Sequence, residues 1–147
     1  MRYVLLVFVT ALASCGPKAA SLDDFHTSNL TLPNGQVIKI ETMIDNRDLM
    51  RGMMFRTSIA SDHGMLFVHS KADKHPYWMY QTLIPLDMIW MDDQHHIIEV
   101  AENAQPCNTV ASQCRTYGGT EPSRYVLELG GGMAKKYGLK LGDTIAW

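Results

Sequence analysis

The sequence carries no excess of either charge. Its 13 basic residues stand against 15 acidic ones, a formal net charge of −2. Non-specific nucleic-acid binding, which needs a strong positive field, is therefore not expected. Cysteines are few, three in 147 residues, too sparse for a fold stapled throughout by disulfides. No apolar run approaches the ~20 residues of a membrane-spanning helix. There is no internal repeat, no low-complexity tract, no GxSxG, no HExxH and no phosphate-cradling glycine loop. Gly130-Gly131-Gly132 lacks GxGxxG spacing and reads as a backbone bend or close approach. What is present is an ordinary globular composition, 46% hydrophobic and 19% charged, with room for one domain.

The N-terminus reads as an address. A basic start at Arg2 is followed by an apolar run from Val4 to Leu12, the pattern of a secretory signal. Leu12-Ala13-Ser14-Cys15 resembles the lipobox of bacterial lipoproteins, in which cleavage leaves the cysteine as the lipidated first residue. The alternatives are a plain secretory signal with an incidental cysteine, or an apolar N-terminal strand. On the lipoprotein reading residues 1–14 are the signal, 15–27 a tether and 28–147 the folded domain. Cys15 then anchors the chain to the membrane of a bacterial cell envelope, on the periplasmic or exterior side, because acyl chains add ~0.8 kcal/mol per buried methylene. Two cysteines remain, Cys107 and Cys114, in a compartment where disulfides persist. Their C-x6-C spacing is neither a CxxC redox motif nor a zinc-knuckle spacing. A structural disulfide is expected, worth ~2.5 kcal/mol in the chain-entropy model; a metal or redox pair is the alternative.

The folded part reads as short strands joined by turns. Asn29–Leu32 and Val37–Met43 flank Pro33-Asn34-Gly35, a hairpin signal. Asp45 is placed to cap a short helix ending near Gly52. Gly64–Val68 reads as a buried strand, as does Leu86–Met91, which turns through Asp92–His95 into a further strand, His96–Val100. Residues 105–123 read as a polar loop holding both cysteines. Tyr125–Leu129 is a further strand, Gly132–Tyr137 a helix closed by Gly138, and Thr144–Trp147 a last strand. The expected class is mainly β: a compact single-domain sandwich or barrel with one or two short helices.

Arg51-Gly52-Met53-Met54-Phe55-Arg56, Gly64–Val68, Trp78-Met79 and Thr82-Leu83-Ile84-Pro85-Leu86-Asp87 together resemble the domain-of-unknown-function family 192, also called uncharacterised protein family 0127. Pro106-Cys107, Cys114 with Tyr117, Tyr125–Glu128 and Gly138 through Asp143 extend the resemblance over about residues 28–147. It implies a single mainly β domain with a short helix and no established reaction. Where the family pattern reads Lys-Asn after Trp-Met, this chain has Tyr80-Gln81, so the charge that such a pair would offer a ligand is missing there.

Asp87 is costly to keep. By the period of two it shares a strand face with Ile89 and Met91, and a buried carboxylate needs a partner. Arg51 or Arg56 is the natural one, either as a structural ion pair or as a polar cluster at a pocket mouth walled by Trp78. Arg51, Arg56, Trp78, Gln81, Thr82 and Asp87 form the expected ligand-binding set, with Tyr77 and Tyr80 nearby. Trp78 and Met79 as plain core is the alternative. Ten methionines invite a copper reading, with His63-Gly64-Met65 and His75 with Met79 as the best clusters. Most of them fall in apolar runs, where methionine fills a core. Asp87 and Glu128 would serve as an acid/base pair only if the fold brings them together, and Glu128 on its strand is a candidate for the solvent face.

No cofactor, no metal and no catalytic residue are implied. The function expected is a lipid-anchored envelope domain, monomeric and non-catalytic, that binds a small polar ligand or cell-wall component. An assembly factor, a carbohydrate-active enzyme and a copper-binding protein are the alternatives.

Overall fold

The computed structural model describes residues 27–147. The signal, Cys15 and nearly all of the tether lie outside the described residues; Thr27, assigned to the tether, already begins the first strand.

Eight strands and two short helices follow the turn signals of the sequence. β1 (Thr27–Thr31) and β2 (Val37–Met43) form the expected hairpin, with Thr31 opposite Val37. Asn34 holds the turn: its Oδ1 accepts from the Gln36 amide at 2.9 Å and its Nδ2 donates to the Tyr137 carbonyl at 3.1 Å. α1 (Asn46–Arg51) starts after Asp45 and stops at Gly52. The cap differs from expectation, since the Asp45 main-chain carbonyl, not its side chain, accepts the Asp48 and Leu49 amides. β3 (His63–Asp73) runs five residues beyond the apolar stretch that signals it. β4 (Tyr77–Trp78) pairs with β7 (Thr116–Tyr117) in a small two-stranded arm. β5 (Leu86–Met91), β6 (Ile97–Ala104) and β8 (Ser123–Gly130) complete the large sheet, and α2 (Met133–Tyr137) ends on Gly138 in the left-handed conformation, as expected.

The six-stranded sheet has the order β1-β2-β3-β8-β5-β6, parallel only between β2 and β3. It does not close into a barrel. β1 and β6 stay as edges, and Thr144–Trp147, expected as a strand, supplies only single bridges from Ala146 to Thr31 and from Thr144 to His96. Two bridges tie the edges at one end and cannot propagate a ladder. The polar loop also carries more structure than expected, a 3-10 turn at Ala111–Gln113 as well as β7.

Both faces of the sheet are covered, because alternate residues of the central strands belong to two separate cores. Leu66, Ile89, Met91, Leu127 and Leu129 pack on one face with α2 and the C-terminal segment. Met65, Phe67, Met88, Trp90 and Val126 pack on the other with Met43, Met53 and Met79. In β5 all six residues are buried for this reason. Met43, Met53, Met65, Met79, Met88 and Met91 are core filling here, unbranched side chains between a twisted sheet and an irregular cover.

Candidate functional site

The second face carries a cavity of about 1060 Å³. α1 forms one wall through Leu49, Met50 and Arg51, and the β4 arm forms the other through Tyr77, Trp78 and Tyr80. Phe67, Thr82 and Glu128 reach it from below. Gly52 makes the approach of helix to sheet possible. It stands at φ +45°, and a Cβ there would lie 3.0 Å from Phe67 Cζ. On the opposite wall Gly118 lets the β7 arm lie against Trp90, where a Cβ would come within 2.4 Å of the indole. The disulfide Cys107–Cys114, with Cα atoms 5.8 Å apart, stabilises the loop behind that arm. Cys107 pairs through its backbone with Met79 and Gln81, so the cross-link bears directly on the segment that carries Trp78.

Glu128 is the unusual group. It stands on central strand β8, opposite Met65 of β3 and Met88 of β5, and is 4% exposed. Its Oε2 has no hydrogen-bond partner. Burial pushes its carboxyl up to about 8, and the Arg56 charge draws it back only in part. At neutral pH it is therefore mostly a neutral acid, able to donate as well as accept a hydrogen bond. The expectation that Glu128 faces solvent is not met: alternation places it there only if one face of β8 is open, and neither is.

The second carboxylate of this face has the opposite fate. Glu41 on β2 lies opposite Met65 from the other side and is 4% exposed. Arg56 engages it bidentately, Nη1 to Oε1 at 2.5 Å and Nη2 to Oε2 at 2.6 Å. This fork-on-fork pair secures the Met53–Arg56 turn beneath α1.

Beside Glu128, the half-buried Tyr77 meets Phe67 and Trp90 edge-on, with ring centroids 5.1 and 6.0 Å away. Its hydroxyl lies 3.0 Å from His69 Nε2, and burial holds its ionisation well above the ordinary tyrosine range. His69 stacks on His75 at 3.5 Å. Burial, with the charges of His75 and Arg124, lowers His69 to about 4, so this imidazole is neutral at physiological pH.

Of the residues expected to bind a ligand, Arg51, Trp78 and Thr82 line the cavity. Arg56 stands behind it on Glu41. Gln81 adopts φ 54° and contributes backbone, its carbonyl accepting from Phe55 and its amide donating to the Cys107 carbonyl. Asp87 is on the other face of the sheet. It is fully buried, as foreseen, but its partner is not an arginine. Oδ1 accepts from the Asn103 and Gly132 amides at 2.7 and 3.0 Å, and Oδ2 from the Ala134 amide at 2.7 Å. Three main-chain donors, one on β6 and two at the start of α2, balance the carboxylate without a cation. Asp87 and Glu128 thus face opposite sides of the sheet, and the acid/base pairing of the two has no geometric basis.

The histidine–methionine clusters also come apart. His63 pairs with Asp62 at 2.7 Å, His75 stacks on His69, and Met65 and Met79 are buried in the core. Among the described residues no three His, Cys, Asp or Glu side chains could hold a metal ion.

A family model described as "Uncharacterized ACR", DUF192, matches residues 29–147. The chain belongs to this family. Its fold is also that of two solved bacterial structures. One, from Novosphingobium aromaticivorans and described as a protein of unknown function, is 28% identical with a TM-score of 0.76; the match covers 95% of this chain and 100% of that one. The other, from Sinorhizobium meliloti and described as a "putative transcription regulator", is 32% identical with a TM-score of 0.70, over 80% of this chain and 88% of that one. No curated protein matches. The family model and the two solved structures thus give this chain a fold, and their descriptions give it no activity.

Proposed function

We propose that this member of the DUF192 family is a lipid-anchored envelope domain that binds a small molecule, without catalysis, in the cavity between α1 and the β4 arm. One observation carries the binding reading: the buried, unpartnered Oε2 of Glu128 at a large cavity. An unsatisfied buried oxygen costs about 1–3 kcal/mol, which a ligand hydroxyl, amide or carbonyl placed against a neutral carboxyl would recover. The aromatic and aliphatic walls suit a ligand with an apolar body and a few polar atoms. The envelope reading rests on the lipobox-like Leu12-Ala13-Ser14-Cys15 and on the Cys107–Cys114 disulfide, which suits an oxidising compartment. The regulator description belongs to the Sinorhizobium protein; with a net charge of −2 this chain offers little to a phosphate backbone.

A thermal-shift screen of small hydroxyl-, carbonyl- and amide-bearing compounds tests the binding reading, with the wild type beside Glu128→Leu. Compounds that raise the melting temperature of the wild type are expected to lose most of that effect in the variant. Hits that stabilise both proteins equally would defeat the assignment of this cavity. Radiolabelled palmitate tests the anchor: incorporation that disappears in Cys15→Ala is the expected result, and labelling that persists refutes it.

A further inference from the structure

The charges around the cavity are one-sided. Arg47 and Arg51 on α1 and Lys74 before the β4 arm all line it, and all three residues are exposed. Glu128, the one acidic residue among the lining side chains, is buried at the floor. The other titratable groups facing the cavity are His69, His75, Tyr77 and Tyr80, none of them a carboxylate. The nearby acids outside the lining are Asp48, 3.9 Å from Arg47 Nε, and Asp73, whose Oδ1 accepts from the Lys74 amide at 2.8 Å and whose Oδ2 lies 3.1 Å from Lys71 Nζ; these solvent-exposed contacts offset little. A chain of net charge −2 thus concentrates three permanent cations at one cavity whose walls are apolar. Apolar interior, neutral acid at the floor and cations at the edge together describe an amphiphile, apolar in its body and anionic at the end left near the mouth.

We infer that the cavity's ligand is an anionic amphiphile, with its carboxylate, phosphate or sulfate group held among Arg47, Arg51 and Lys74 and its apolar body inside between Met50, Phe67 and Trp78. The inference rests on the cavity being the binding site, and it adds the ligand's class. A soluble amphiphile fits better than a bilayer surface, because a cleft with an acid buried at its floor has the depth to take up an apolar body, while a membrane surface meets only the rim.

The test is calorimetric titration of the full chain carrying Cys15→Ser, so that no acyl chain of its own competes. Decanoate and decyl phosphate are compared, below their micelle concentrations, with decanol and decylammonium. Vesicles of phosphatidylglycerol and phosphatidylcholine form a separate arm. Expected is binding of the two anions about tenfold or more tighter than decanol, with decylammonium weakest. That preference is expected to shrink with added salt and in Arg51→Gln/Lys74→Gln, whose substitutions lie on the exposed rim and leave the core intact. Equal binding of decanol and decanoate, weakened in Trp78→Ala, would overturn the anionic assignment and leave the cavity reading standing. Binding of none of the four, or binding unaffected by Trp78→Ala at the cavity wall, would remove both. Binding to anionic vesicles alone would also overturn the inference, and would reassign the three cations to a membrane surface.

Discussion

Glu41 and Glu128 stand on the same face of the sheet, on either side of Met65, and the structure treats them oppositely. Adjacent strands lie ~4.8 Å apart, so their backbones are separated by about 10 Å. Glu41 is neutralised by a bidentate arginine, while Glu128 keeps an oxygen without a hydrogen-bond partner beside the cavity. A residue serving only the fold would more cheaply be leucine. Its presence is the strongest sign that this face does something besides pack.

Glu128 makes stability depend on pH. Its folded-state value of about 8 lies above the ordinary 4.5, so between these values the folded protein holds a proton that the unfolded chain has released. The stability associated with the neutral carboxyl is complete below about pH 4.5 and is lost as pH rises through about 8. Glu128→Gln, which cannot ionise, is expected to flatten this decline. Urea titrations of both proteins across this range check it; parallel curves would show that Glu128 ionises freely.

Asp87 is expected to prove structural. Asp87→Ala leaves three amides at the start of α2 and on β6 without their acceptor and should cost about 3–5 kcal/mol, since hydrogen bonds to a charged group contribute roughly 1.5–3 each and do not add fully. Asp87→Asn retains one acceptor oxygen and should cost less. Chemical denaturation gives both values. Ligand affinity in the cavity is expected to stay unchanged in any Asp87 variant that remains folded, because the residue lies across the sheet.

Gly52→Ala should destabilise by about 1–3 kcal/mol, from a left-handed φ that alanine resists and from the contact with Phe67. The same change should weaken ligand binding, because α1 must move off the sheet. An alanine variant with wild-type stability would mean that the α1 junction relaxes freely.

Replacing both Cys107 and Cys114 by serine should cost about 2–3 kcal/mol, the entropy of a short closed loop. Hydrogen exchange should rise first at the Cys107 and Gln81 amides, which donate to the Met79 and Cys107 carbonyls. Exchange that rises uniformly over the sheet instead would show that the cross-link acts on the whole domain.

Local chemistry made much of this architecture legible. Asn34-Gly35 set a hairpin, Asp45 and Gly52 bounded a helix, Gly138 ended another, and Cys107 and Cys114 are joined as expected. Of the expected ligand-binding set, the fold brings Arg51, Trp78 and Thr82 to one cavity, although nothing in their local sequence distinguishes them from core or surface residues. Asp87 was recognised as a residue in need of a partner, but the amides that supply it come from residues 16, 45 and 47 positions away. No spacing rule finds such donors.

The sequence by itself determined the long strands, the hairpin turn and the helix ends, because each depends on a few neighbouring residues. Only the tertiary structure decided that β8 is covered on both faces. A period of two tells which residues share a face and is silent on which faces meet water. That single fact turns Glu128 from an apparent surface charge into a buried acid at a cavity, and Asp87 from a binding candidate into the acceptor that fixes α2.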